Sequence, residues 1–213
     1  MYQNIQDFED GNKNFRKIKF KHNKKRFKQL IKEGQEPKAL FIGCSDSRFM
    51  PSMITGSNPG DLFVVRNIGN FVAPYKPDED YHATASAIEY AVSVLEIQDI
   101  IVCGHSHCGA IEALYKDIKL TKENTHTRKW LELGANAKKM AMLTHGNSDK
   151  DTRLRYTEKI SVIYQLENLL TYPAVKKGVD DGKIFLHGWY NDLEKGTIEY
   201  YDDEGFEFKL LGE

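Results

Sequence analysis

Three short, unbroken apolar runs constrain this chain more than any other feature. Ala39-Leu40-Phe41-Ile42 lies between Pro37 and Gly43, Leu62-Phe63-Val64-Val65 follows the turn Asn58-Pro59-Gly60-Asp61, and Ile100-Ile101-Val102-Cys103 ends at Gly104. Runs this short, bounded by turn formers and lacking polar alternation, read as strands covered on both faces. Ile184-Phe185-Leu186 is a fourth. Between them lie helical patterns. Ala83 to Leu95 sets Ile88, Ala91, Val92 and Leu95 at helical spacing; Thr127 to Leu143 and Tyr156 to Leu170 follow, the last stopping before Pro173. Strands alternating with helices predict an α/β fold, a mainly parallel central sheet flanked by helices. Thr197 to Tyr201 and Phe206 to Leu210, around a turn at Asp202 to Gly205, predict an antiparallel C-terminal hairpin on the sheet edge. Residues 1–33 read as an N-terminal helical arm that Gly34 stops. No internal repeat or low-complexity linker interrupts the chain, so a single domain over 1–213 is expected.

The charge balance excludes a generic polyanion binder, since 30 Lys and Arg face 31 Asp and Glu. The exception is local. From Lys13 to Lys28 the chain is basic, with Phe15, Ile18, Phe20 and Phe27 interleaved. Such a tract could contact RNA or a membrane surface. It also fits an amphipathic helix with a solvated basic face and a docked apolar side. No base-reading or phosphate-binding motif accompanies it, so no nucleic-acid partner is expected. No apolar run has membrane-spanning length, so no membrane partner is expected either. No signal core follows Met1, and cytoplasmic residence is the expectation. In reducing cytosol three cysteines are candidates for chemistry rather than for disulfides.

Loops at the carboxyl ends of parallel strands form the crevices of such sheets. The first run leads into Gly43-Cys44-Ser45-Asp46-Ser47-Arg48, and the third into Gly104-His105-Ser106-His107-Cys108-Gly109. His105 and Cys108 have a spacing that lets one turn present both to a metal. Cys44 and Asp46, on alternate positions, point the same way if the backbone there is extended. A mixed sulfur and nitrogen set suits zinc. One reading is a closed structural site. Structural sites, however, usually draw on Cys-x-x-Cys knuckles, which this chain lacks. The other is a catalytic site in which Cys44, His105 and Cys108 bind zinc and the fourth position goes to water or, in a closed state, to Asp46. Arg48 can hold Asp46 off the metal by a bidentate ion pair.

Cys44-Ser45-Asp46-Ser47-Arg48 with Gly104-His105-Ser106-x-Cys108-Gly109 resembles the beta-class carbonic anhydrase signature. The likeness extends to Pro59-Gly60, Val65-Arg66-Asn67, Ala87-Ile88-Glu89-Tyr90-Ala91 and Leu186-His187-Gly188-Trp189. In the family's bicarbonate-inhibited type a Trp precedes the first Cys ligand by three residues and a Tyr follows the His-Gly-Trp segment. Phe41 and Asn191 stand there, although Arg66 is retained. Gln35, Phe63 and Tyr90 match the plant-like, non-allosteric type instead. The resemblance implies one zinc ion per subunit and carbon dioxide or bicarbonate as substrate, with a cleft at the interface of a homodimer or higher homo-oligomer. It also implies substrate contacts from Gln35, Phe63, Ile68 and Tyr90. Gly109, opening a helix, could add backbone N–H groups.

The expected chemistry is reversible hydration of carbon dioxide by zinc-hydroxide attack, with the Asp46–Arg48 pair orienting or gating the metal position. Two thiolates offset the metal's charge, so activity should favour alkaline pH relative to a three-His site. Alternatives on the same scaffold are hydrolysis of carbonyl sulfide or carbon disulfide, and a non-catalytic zinc or bicarbonate binder. Among the other histidines, His22, His126 and His145 read as exposed. His187 reads as buried and hydrogen-bonded, and His82 as a possible proton relay near the cleft. The effect of His107 is open, and Cys103 reads as packing.

Overall fold

The computed structural model describes residues 3–78 and 80–212; Met1, Tyr2, Glu79 and Glu213, counted above in the arm and the domain, lie outside the described residues. In chain order the elements are α1 (Gln3–Phe15), a π-helical turn (Arg16–Phe20), α2 (Lys21–Glu33), β1 (Ala39–Cys44), α3 (Pro51–Thr55) and β2 (Leu62–Asn67). A 3-10 turn (Ile68–Asn70), α4 (Ala83–Ser93), β3 (Asp99–His105), α5 (Gly109–Ala113), α6 (Thr125–Leu131) and a second 3-10 turn (Glu132–Gly134) follow. The chain continues through α7 (Ala135–His145), α8 (Lys150–Leu169), α9 (Pro173–Asp180), β4 (Phe185–Asp192), β5 (Thr197–Asp202) and β6 (Glu207–Leu210).

The sheet order is β2-β1-β3-β4-β5-β6. β1 pairs parallel with β2 and β3, and β3 parallel with β4, while β5 and β6 form the antiparallel extension at one edge. Burial on both faces explains the runs of β1 and β3. β2 is an edge strand with Val64 exposed and its other apolar residues only partly buried, and Phe185 of β4 is exposed, so two-sided cover is corrected for those runs. Leu40, Ile42, Ile100 and Val102 pack under Ile88 and Ala91 of α4, Val162 and Leu169 of α8, and Val175 of α9. The alternate residues Ala39, Phe41, Ile101 and Cys103 pack on the other face with Phe49 and Trp189. Cys103 is therefore the packing residue expected.

Three local expectations need correction. The helix read over Thr127 to Leu143 is two helices, α6 and α7, joined by the turn that ends at Gly134. A Cβ at Gly134 would lie 2.7 Å from Leu114 Cδ1, so close packing needs a residue of low helix propensity here. α8 starts earlier than read, at Lys150, because the Asp149 side chain accepts from Thr152 N at 2.9 Å and caps it. α8 does end before Pro173, as read, and Pro173 itself opens α9, a position that its missing N–H and fixed φ suit. The basic arm does not bury its apolar side within one chain. Arg26 Nε donates to Pro59 O at 3.2 Å and Leu30 packs on Gly60, but Phe8, Ile18 and Ile31 stay exposed.

Candidate metal centre

β1 and β3 are neighbours and parallel, so their carboxyl ends lie side by side. This brings together two segments far apart in sequence. The ligand-type atoms of Cys44, His105 and Cys108 lie within 4.8 Å of one another, and all three residues are buried. His105 Nδ1 lies 2.8 Å from Ser106 O. A carbonyl only accepts, so Nδ1 carries the proton and the Nε2 lone pair is left free. Nε2 is buried and, among the described residues, has no hydrogen-bond partner. An orphaned imidazole nitrogen facing two sulfurs is a donor set that fits a metal ion.

The surroundings hold this geometry. Phe49 is fully buried and stacks on the His105 ring, with centroids 5.5 Å apart. It reaches that place only because residue 43 is glycine, where a Cβ would lie 2.6 Å from Phe49 Cε1. Gly69, at φ +77°, turns the chain beside the cluster; a Cβ there would meet Phe71 Cζ at 2.9 Å and Ala110 Cβ at 3.0 Å. Trp130 Nε1 donates to Ile68 O at 2.7 Å and fixes the same turn from α6.

The electrostatics are those of a thiolate site. Cys108 beside Cys44, with His105 and the amides of Asp46 and Gly69, holds the Cys44 thiol down to about 4 despite burial. The Cys108 thiol is pushed up, first by its contact with Cys44 and then by burial, and the amides of Ala110 and Ile111 oppose this. Burial pulls the His105 imidazolium down, but the Cys44 thiolate outweighs it and the net shift is upward.

Asp46 and Arg48 form the expected pair. Arg48 Nε donates to Asp46 Oδ1 at 3.0 Å and Nη2 to Oδ2 at 2.7 Å, so the fork is bidentate. Arg48 is the main reason that the Asp46 carboxyl lies well below the usual carboxylate range. Arg48 Nη2 also donates to His107 O at 2.9 Å, tying the Cys44 loop to the Cys108 loop. That gives His107 a place: its backbone, at φ +57°, presents the carbonyl, while its ring meets Glu194 Oε1 at 2.8 Å. The idea that Cys44 and Asp46 share an extended backbone is corrected, because β1 ends at Cys44 and Asp46 lies in the turn beyond.

Two residues hold the ligating cysteines by their backbones, and sequence reasoning missed this. Arg66 on β2 donates to Cys44 O at 2.9 Å, Asp46 O at 2.7 Å and Phe49 O at 2.8 Å. Glu158 on α8 accepts from Cys108 N at 2.9 Å. Arg66, the one charge in the apolar run of β2, was an available signal; Glu158, one of several charged residues on α8, offered none.

The remaining candidates divide. Ile68 follows Asn67, the partner of Cys44 in the sheet, and is half-exposed beside the cluster; Gly109 is exposed at the first residue of α5. Phe63 and Tyr90 stack on each other, with centroids 6.0 Å apart, but at the other end of β2. Phe63 pairs with Leu40, four residues before Cys44, which is roughly 13 Å along the strand. Gln35 is exposed and precedes β1 altogether. One chain does not bring these three to its own cluster. His82 Nε2 lies 2.6 Å from Asp78 Oδ1, just before α4, and His187, only partly buried, lies 2.8 Å from Asp99 Oδ1.

Residues 39–198 match the family model described as carbonic anhydrase. A carbonic anhydrase of Pseudomonas aeruginosa is 38% identical over 209 residues, 98% of this chain and 93% of that protein. Beta carbonic anhydrase 5 of Arabidopsis thaliana, a chloroplastic protein, is 37% identical over 90% of this chain and 64% of its own length. The solved structure of the beta-carbonic anhydrase CcaA superposes with a TM-score of 0.88 at 36% identity, covering 98% of this chain and all of that one. Tetrameric beta-carbonic anhydrases of Sordaria macrospora give a TM-score of 0.77 at 28% identity over 99% and 98% of the two chains. With the two-cysteine, one-histidine cluster at the carboxyl ends of β1 and β3, these matches leave one conclusion: the chain belongs to the beta-class carbonic anhydrases.

Proposed function

We propose that this protein is a zinc-dependent carbonic anhydrase, a lyase that reversibly hydrates carbon dioxide to bicarbonate and a proton. The observation that carries the reading is the buried Cys44–His105–Cys108 cluster beside the bidentate Asp46–Arg48 pair. Zinc bound there by Cys44, His105 and Cys108 would supply a water made acidic enough to attack an apolar electrophile. The chain does the rest. Arg48 keeps Asp46 ionised, so its carboxylate can accept a hydrogen bond from the attacking oxygen and aim it. In a closed state Asp46 would take the fourth metal position itself. Ile68 offers an apolar wall for carbon dioxide, and Gly109 leaves open space beside Cys108.

The substrate wall requires a second copy of the chain. Gln35, Phe63 and Tyr90 lie away from their own cluster, and β2, which carries Phe63, is a free sheet edge. A copy placed against that edge would bring its Phe63 and Tyr90 to the neighbour's cluster, as expected for the plant-like, non-allosteric type. Charge supports self-association. Lys13 to Lys32 holds ten of the 30 Lys and Arg and none of the 31 Asp and Glu, leaving 20 cations against 31 acids elsewhere. A basic arm and an acidic body attract each other between copies. We assign the arm to this contact and not to nucleic acid. The protein is read as one domain and as cytoplasmic, where free Cys44, Cys103 and Cys108 stay reduced. No described helix is long and apolar enough to cross a membrane.

Stopped-flow carbon dioxide hydration by zinc-loaded protein at pH 7 and pH 9, with Cys44→Ala as control, tests the activity. Hydration that rises at pH 9 and vanishes in the control is expected. Bound zinc with no hydration at either pH would refute it and favour carbonyl sulfide hydrolysis or a silent binder.

A further inference from the structure

The Glu158 carboxylate is almost fully buried, yet every bond it makes converges on one job. Oε1 accepts from Cys108 N at 2.9 Å and from Arg155 Nη2 at 2.6 Å; Oε2 accepts from Arg155 Nε at 2.7 Å and Tyr190 Oη at 2.9 Å. Arg155 lies one helical turn before it on α8, and Tyr190 comes from the middle of β4. Four donors fix both oxygens, so the carboxylate cannot turn away. Its remaining partner is the amide that opens α5, at the residue whose sulfur belongs to the metal cluster. That amide is one of the helix's unpaired N-terminal donors and would otherwise be buried without an acceptor.

Resting on the zinc reading above, we infer that Glu158 is a positioning residue that sets the Cys108 sulfur through its backbone amide, with Arg155 and Tyr190 as its supports. The arrangement mirrors the other cysteine, where the Arg66 cation holds the Cys44 carbonyl. A cation on one ligand's carbonyl and an anion on the other's amide keep both sulfurs in place before any metal arrives. Burial pushes the Glu158 carboxyl upward, and the Arg155 fork opposes this. The bidentate contact with Arg155 is therefore part of the support and not a surface accident.

The test is zinc affinity of the purified full chain, measured by competition with a chromophoric chelator, for wild type, Glu158→Met, Glu158→Gln and Leu169→Ala. Cobalt-loaded visible spectra report the ligand geometry in the same samples. Glu158→Met removes the acceptor and should weaken zinc on the order of 10–100-fold, the usual loss when an outer-shell partner is removed. Glu158→Gln keeps one oxygen for the Cys108 amide but sets its NH2 against the Arg155 and Tyr190 donors, and should bind more weakly than wild type and more tightly than Glu158→Met. Leu169→Ala, in the core at the far end of α8, should lower stability while leaving zinc affinity and the cobalt bands unchanged. Wild-type affinity in Glu158→Met, or an equal loss in Leu169→Ala, would overturn the inference; so would Glu158→Gln as weak as Glu158→Met. If Glu158→Met does not fold, Tyr190→Phe carries the test: altered cobalt bands support the role and unchanged bands refute it. A wild-type chain that binds no zinc would overturn the metal reading first, and this inference with it.

Discussion

Replacing Gly69 by alanine tests how tightly the cluster's surroundings are built. Two costs are expected. At φ +77° an L side chain pays for the left-handed backbone, about 1–2 kcal/mol. The new Cβ would also lie 2.9 Å from Phe71 Cζ and 3.0 Å from Ala110 Cβ. Phe71 is fully buried and the Ala110 Cβ is fixed to its backbone, so neither yields freely, and overpacking of this kind costs about 1–3 kcal/mol. Gly56 separates the two costs. It too is left-handed, at φ +61°, but a Cβ there meets nothing within 4 Å. Gly56→Ala should therefore show the backbone cost alone. Urea unfolding of both variants, zinc-free and at equal protomer concentration, should give roughly 2–5 kcal/mol for Gly69→Ala and 1–2 for Gly56→Ala. In zinc-loaded protein Gly69→Ala should also lose metal affinity, because Ala110 is pressed two residues from Cys108 and the Gly69 amide leaves Cys44. Equal losses in the two variants would refute the packing argument.

Other outcomes follow from the same contacts. Arg66→Lys cannot reach three carbonyls with one ammonium and should cost about 1.5–3 kcal/mol in urea unfolding; no loss would remove Arg66 from the site's framework. Arg48→Ala should damage carbon dioxide hydration far more than zinc content, and zinc loss as severe as in Cys44→Ala would rule out a gating pair. Mixing Cys44→Ala chains with Tyr90→Ala chains should restore activity, since a hybrid holds one intact cluster facing an intact Tyr90; no recovery would argue that the wall does not come from a second copy. Asp61 is held below the usual range, first by the Asn58 amide and then by Lys38 and Arg26, against its burial. Its contribution is present above the unfolded value of about 3.9 and is lost as pH falls through the lower folded value. The stability gap between wild type and Asp61→Asn, read from urea midpoints, should accordingly close below about pH 4. A gap unchanged down to pH 3 would contradict the sign.

Much of the site was legible because its ligands sit at the ends of unmistakable strands. Ala39-Leu40-Phe41-Ile42 and Ile100-Ile101-Val102-Cys103 announce buried parallel strands, and the chemistry follows each at once. Asp46 and Arg48 were legible from spacing, since a fork two residues away can reach a carboxylate. Arg66 and Glu158 were not, because their partners are backbone atoms of distant residues and no side-chain pattern records a carbonyl or an amide. The break at Gly134 was hidden because apolar periodicity continues through it, and the glycine is required by side chains far away in sequence, Leu114 just after α5 and Phe71. Gln35, Phe63 and Tyr90 carried a family pattern whose geometry a single chain does not complete.

The contact between Glu158 and the Cys108 amide joins residues 50 positions apart. On a chain synthesised from its amino terminus, Cys44 emerges first, His105 and Cys108 next, and the acceptor for the Cys108 amide much later. The sulfurs can meet as soon as β1 and β3 pair, but their buttress arrives only with α8. Metal captured by a growing chain would therefore be held loosely until that helix docks. If Glu158 acts as inferred, tight retention of the metal would signal that synthesis has passed the middle of α8.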